Sequence, residues 1–180
     1  MRLHCGSVMS LVAVLFAAQL AWAQERAGTL SIRGDVLKPG RWAVDDLKRQ
    51  FAKEIQTVKF TSGSDKKQRV GTGVPLLALI QAAEPKTEKV PKHYDLTFLV
   101  ILEASDSYRV FFSLAELLPQ CGHAQVWLLW EADGKLLSGN EAPFRLAVLT
   151  DEGHDRCIYG IASITLVDGT KLATQLASGK

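Results

Sequence analysis

Leu96-Thr97-Phe98-Leu99-Val100-Ile101-Leu102 is apolar on both of its alternating faces, and so is Val126-Trp127-Leu128-Leu129-Trp130. A strand with this pattern belongs in the middle of a layered domain, covered on both sides, so these two stretches are expected as central strands. Between them, Tyr108 to Phe112 reads as a hairpin partner of the first. Asp106 before it sits in a tight turn, where an Asp ordinarily hydrogen-bonds its own backbone. Ser113-Leu114-Ala115-Glu116 has capping-box spacing for a short helix stopped by Pro119. Towards the C-terminus, Phe144 to Leu149 and Ile161 to Val167 read as the last strands, and the tail from Asp168 as small, polar and loosely held.

Towards the N-terminus, Thr29 to Arg33 reads as a strand, with a Lys38-Pro39-Gly40 turn into Trp42 to Val44. Asp45 is suited to cap a helix whose Leu47, Phe51 and Ile55 recur at i, i+4, i+8. Thr57 to Phe60 reads as a further strand, and polar Thr61 to Thr72 as a loop or exposed hairpin with a basic run, Lys66-Lys67 and Arg69. Pro75 at a first-turn position opens a short buried helix through Leu76, Leu77, Ile80 and Ala83. Residues 85 to 94 are charged, contain two prolines and read as a connector. The fold class expected is one mixed α/β (α+β) domain, β-rich with three short helices.

The first residues have another character. Met1-Arg2-Leu3-His4 is a basic start, Val8 to Ala18 is apolar, and Ala21-Trp22-Ala23 is an A-x-A cleavage site before Gln24. This is a secretory signal over residues 1–23, since the apolar run falls short of the roughly 20 residues of a spanning helix. The mature protein is then residues 24–180, a single domain with its core at about 29–167, working in the periplasm or outside the cell. Lys and Arg number 21 against 19 Asp and Glu. That balance gives no pull towards nucleic acid, and no later segment is apolar enough to cross a bilayer.

The motifs follow one order that resembles the molybdopterin-binding domain of the sulfite oxidase family. Leu30-Ser31-Ile32-Arg33-Gly34-Asp35-Val36 with Val44-Asp45-Asp46-Leu47 is similar to that family's first strand, turn and helix, and Gly73-Val74-Pro75-Leu76 to its loop into the second helix. Ser105-Asp106-Ser107-Tyr108 stands where the family has Asp-Gly-Tyr. Asp133-Gly134-Lys135-Leu136-Leu137 leads to Ala142-Pro143-Phe144-Arg145-Leu146, similar to Gly-Pro-x-Arg-Leu, and Arg156 and Gly160 fall in the closing segment. The resemblance runs from Leu30 to Val167 and implies a molybdopterin cofactor and oxidoreductase chemistry.

It also implies a cysteine that holds molybdenum in the loop after the second strand, because a thiolate is a soft ligand. That stretch here is Thr61-Ser62-Gly63-Ser64, without a cysteine. The reading is therefore a non-catalytic binding or accessory protein with no cofactor expected, whose remnant cleft is marked by Thr61, Ser62, Ser64 and Arg145 and would take a small anion or a periplasmic protein partner. Two alternatives stay open: a molybdopterin-dependent oxidoreductase, and a ligand-binding module of polysaccharide export, whose start Gly34 to Trp42 resembles, in a likeness that covers only about thirty residues at the N-terminal end.

Outside that cleft, Cys121 and Cys157 are the two mature cysteines, and export makes one disulfide their simplest use. With His123 and His154 they would otherwise offer zinc or copper ligands, although the spacing lacks the usual tight C-x-x-C pair. His93 reads as solvated. Arg145 enters an apolar strand, where its guanidinium either pairs with a carboxylate such as Asp151 or faces a pocket as an anion clamp.

Overall fold

The computed structural model describes residues 28–63, 66–86, 94–151 and 156–179. The expected signal over 1–23, together with Ser64, His93 and His154, lies outside them. Among the described residues, ten strands form two five-stranded sheets. The first holds β1 (Leu30–Gly34), β2 (Gly40–Trp42), β5 (Phe98–Ala104), β6 (Arg109–Ser113) and β10 (Ile161–Asp168), in the order β2-β1-β10-β5-β6. The second runs β3 (Gln56–Thr61), β4 (Gln68–Pro75), β7 (Val126–Ala132) and β8 (Lys135–Leu136), with β9 (Arg145–Val148) also paired to β7.

Each apolar stretch that opened the reading lies inside a sheet. β5 is held between β10 and β6, and β7 between β4 and the strands β8 and β9. All five residues from Val126 to Trp130 are buried, as a strand covered on both faces requires. In β5 burial alternates instead, with Phe98, Val100 and Leu102 fully inside and the residues between them half-buried. That strand therefore turns one face to the core and leaves the other open. Pairing is antiparallel except for β1 with β10, which run parallel with Ser31 opposite Ser163 and Arg33 opposite Thr165.

Helix α1 (Val44–Gln50) buries Leu47, while Phe51 and Ile55 continue the same apolar stripe beyond its end. The capping role read for Asp45 belongs to Asp46, whose carboxylate accepts the Ala43 N–H at 3.0 Å. Helix α2 (Leu76–Ala83) starts directly after Pro75 and buries Leu76, Leu79, Ile80 and Ala83. Helix α3 (Leu114–Leu117) has the expected capping box: Ser113 Oγ accepts the Glu116 N–H, and Glu116 Oε2 accepts the Ser113 N–H, both at 3.2 Å.

Of the two alternatives read for the polar stretch from Thr61, the structure has the hairpin, β3–β4, registered from Gln56 opposite Gly73 to Thr61 opposite Gln68. Another reading is corrected. The tail after Asp168 is a fourth helix, α4 (Gly169–Ala177), because the Asp168 carboxylate caps it by accepting the Thr170 N–H at 2.9 Å. Asp133-Gly134, between β7 and β8, has positive φ at both residues, 51° and 75°. A two-residue type I′ hairpin turn demands this. A large apolar core joins the first sheet to the helices and to β7, while Phe60, Trp127, Leu129, Ala132 and Ala147 make a second cluster on the other side of the second sheet.

Candidate functional site

Against the second cluster, opposite Leu129, stands a fully buried arginine. Arg145 has no exposed surface, although it stands in the all-buried strand β9. Its guanidinium lies 4.4 Å from the centre of the Phe60 ring and 4.7 Å from that of Tyr159. Two π faces thus take the place of water around the cation. Its Nη1 donates to Glu141, which the short 3₁₀ turn Gly139–Glu141 brings in four residues earlier. Among the described residues, Arg145 Nε and Nη2 have no hydrogen-bond partner.

Phe60 comes from β3 and is paired across the hairpin with Arg69. Gly71, two residues along β4, makes room for its ring: a Cβ there would stand 2.9 Å from Phe60 and 2.5 Å from Leu129. Arg69 in turn donates to Asp133 at 2.8 Å and to both oxygens of Glu141 at 3.3 Å. The hydrogen bond from Arg69, reinforced by the Val70 N–H, holds the Asp133 carboxyl below its usual range, and the bond to Asp133 raises Arg69 above its own. Glu141 thus serves two guanidiniums, and Arg69 ties the β3–β4 hairpin to the β7–β8 turn.

Of the site residues read from the sequence, Thr61 and Ser62 follow directly on Phe60, with Thr61 half-buried and Ser62 buried. They are thus one and two residues from the ring that covers Arg145. Ser64 lies outside the described residues. The carboxylate expected to pair with Arg145 is corrected: it is Glu141, since Asp151 is taken by Arg156 in a two-pronged pair at 2.8 and 2.6 Å. Arg156 also reaches Glu116 at 3.6 Å and lies 4.5 Å from the Phe112 ring centre. The basic run is divided, with Lys66 and Lys67 exposed at the hairpin tip and Arg69 drawn into the ion pairs described above. Asp106 plays the turn role expected, its Oδ1 accepting the Tyr108 N–H at 2.9 Å.

The structure holds no disulfide between Cys121 and Cys157, which are both free thiols. Cys121 is exposed in the turn after α3, while Cys157 is half-buried, packs against the large core and lines a cavity of about 330 Å³ with Ser105, Asp106, Tyr108, Asn140 and Tyr159. Among the described residues no three His, Cys, Asp or Glu side chains come together as a metal site, and no helix is long and apolar enough to cross a membrane. Phe60, Glu141 and Tyr159 were not singled out from the sequence.

No family model and no curated protein matches the chain. Among solved structures it is similar to the sulfane dehydrogenase SoxCD from Paracoccus pantotrophus, at a TM-score of 0.57 and 19% sequence identity, over 78% of this chain and 38% of that one. The chain thus spans well under half the length of that neighbour. The likeness establishes the fold, a strand-rich mixed α+β fold that an oxidoreductase also uses.

Proposed function

We propose that this chain keeps the scaffold of a sulfite oxidase-type molybdopterin-binding domain as an exported, non-catalytic binding or accessory protein. The observation that carries the proposal is the donor set at the end of β3. There Thr61 and Ser62 present hydroxyls, which are hard, protonated ligands at neutral pH, where the family resemblance calls for a thiolate. The two described thiols belong to other parts of the fold, in the turn after α3 and beside Ile158. A thiolate-held molybdenum centre does not fit these residues.

The neighbouring arginine supports the same reading. Arg145 is enclosed by Phe60, Tyr159 and Glu141, so its charge is already balanced inside the fold and no surface of it is offered to a bound anion. Location outside the cytoplasm is part of the proposal and rests on the signal read in residues 1–23.

The test is to express the full chain with its own leader in cells that make and deliver the cofactor, then measure molybdenum by elemental analysis and pterin by fluorescence. The expected result is far less than one molybdenum per chain and no sulfite oxidation. Near-stoichiometric molybdenum would overturn the proposal in favour of a molybdopterin-dependent oxidoreductase.

A further inference from the structure

The register of the first sheet gathers a second polar group, on the face turned away from the core. Directly paired residues share a face. Ser31 of β1 stands opposite both Arg41 of β2 and Ser163 of β10, and Ser163 stands opposite Glu103 of β5. With Arg33 and with Ser105 on the following turn, these residues line an open cavity of about 310 Å³. Its size is at the lower end of the range for small-molecule sites. Its wall is mostly hydroxyl and guanidinium, which suits a polar ligand and not an apolar one.

The charges in this cavity are not balanced. Arg33 spends its Nε on Thr165 Oγ1 at 3.1 Å and reaches Ser163 Oγ at 3.5 Å, while its nearest carboxylate oxygen, on Glu103, is 3.8 Å away. Glu103 is engaged more closely by Arg109, at 3.1 Å. Among the described residues Arg41 pairs with no carboxylate, since Glu103 is the only acidic side chain in the lining. The lining thus carries two guanidiniums, Arg33 and Arg41, against the one carboxylate of Glu103, which Arg109 of β6 also engages, and it includes the buried Ser163. A planar guanidinium is matched to an oxyanion, which it binds through two parallel N–H donors.

We infer that this cavity is a binding site for a small oxyanion, a carboxylate, sulfate or phosphate carried on a compact polar body, held by Arg41 and Arg33 with Ser31, Ser105 and Ser163 as hydroxyl partners. The site is separate from Arg145 and from the end of β3, so it stands or falls independently of the molybdenum measurement.

The test is calorimetric titration of the purified chain, at low ionic strength, with sodium sulfate, sodium phosphate and sodium glucuronate in turn. At least one probe binds saturably. Arg41→Ala weakens that binding about tenfold or more, the loss expected for one charge-assisted pair. Lys135→Ala, an exposed change on the other sheet, leaves it unaltered. Arg41→Gln, uncharged but similar in length, gives the same result should alanine disturb the edge strand. Binding confined to sulfate or phosphate identifies a free inorganic anion or its ester, and binding confined to glucuronate a sugar acid. Both support the site. No saturable binding by any of the three, or equal binding by the wild-type chain and both Arg41 variants, overturns it.

Discussion

At Arg145 the environment decides which partner matters more. A guanidinium with no exposed surface tolerates loss of its carboxylate badly, because the charge is then left in a medium that cannot solvate it. Glu141 is about one-fifth exposed and keeps Arg69 within reach when Arg145 is removed. Glu141→Ala should therefore destabilise the protein by about 3 kcal/mol in urea unfolding, the lower end for breaking a buried pair. Arg145→Met, which fills the slot between Phe60 and Tyr159 with apolar atoms, should cost clearly less. Equal losses, or a larger one for Arg145→Met, would mean that the aromatic stacking and not the ion pair dominates. The burial of Arg145 was legible in the sequence, since it interrupts an apolar strand. Its partner was not, because the choice between Glu141 and Asp151 depends on where the 3₁₀ turn and Arg156 lie in space.

Elements were legible where one local rule acted alone. Ser113 and Glu116 announce α3 because a capping box needs only four consecutive residues. Ser113→Ala removes the acceptor of the Glu116 N–H and should lower stability by about 1 kcal/mol, read from the shift in a chemical unfolding curve at constant slope. An unchanged midpoint would show that packing of Leu114 and Leu117 alone holds this turn. Strand β4 was left undecided between loop and hairpin because two glycines and several polar residues give it a loop's composition. At Gly71 the glycine reflects room for the Phe60 ring, a demand from a neighbouring strand that no local pattern records. Helix α4 was missed because few apolar residues mark it, and its start depends on the carboxylate of Asp168, read only as the beginning of a tail.

For the whole molecule, the distribution of apolar residues along the chain was enough to give the fold class and to place β5 and β7 inside their sheets. The chemistry of the sites was not contained in any one segment. The Arg145 cluster draws on β3, β4, β9, a 3₁₀ turn and the stretch before β10, and the outer-face cavity draws on β1, β2, β5 and β10. Helix α4 buries none of its residues, and Leu176 is 73% exposed. Ending the chain after Gly169 should leave one cooperative thermal transition and lower its midpoint by no more than about 4 °C, the shift that about 1 kcal/mol makes in a domain of this size. A larger fall, or loss of cooperativity, would give α4 a part in the core that its exposure does not suggest.

The parallel pairing of β1 with β10 also sets the order in which the protein is able to form. Ser31 meets Ser163 and Gly34 meets Leu166, so β1, which has β2 close by in sequence on one side, gains its neighbour on the other side only once β10 has been made. Until then, the middle of that sheet has a gap where β10 belongs, between β1 and β5. Contacts this distant in sequence close slowly, since the loop entropy comes before any gain. The second sheet, whose strands all precede β10, has no such gap, so of the two it is the first sheet that waits for the late strand.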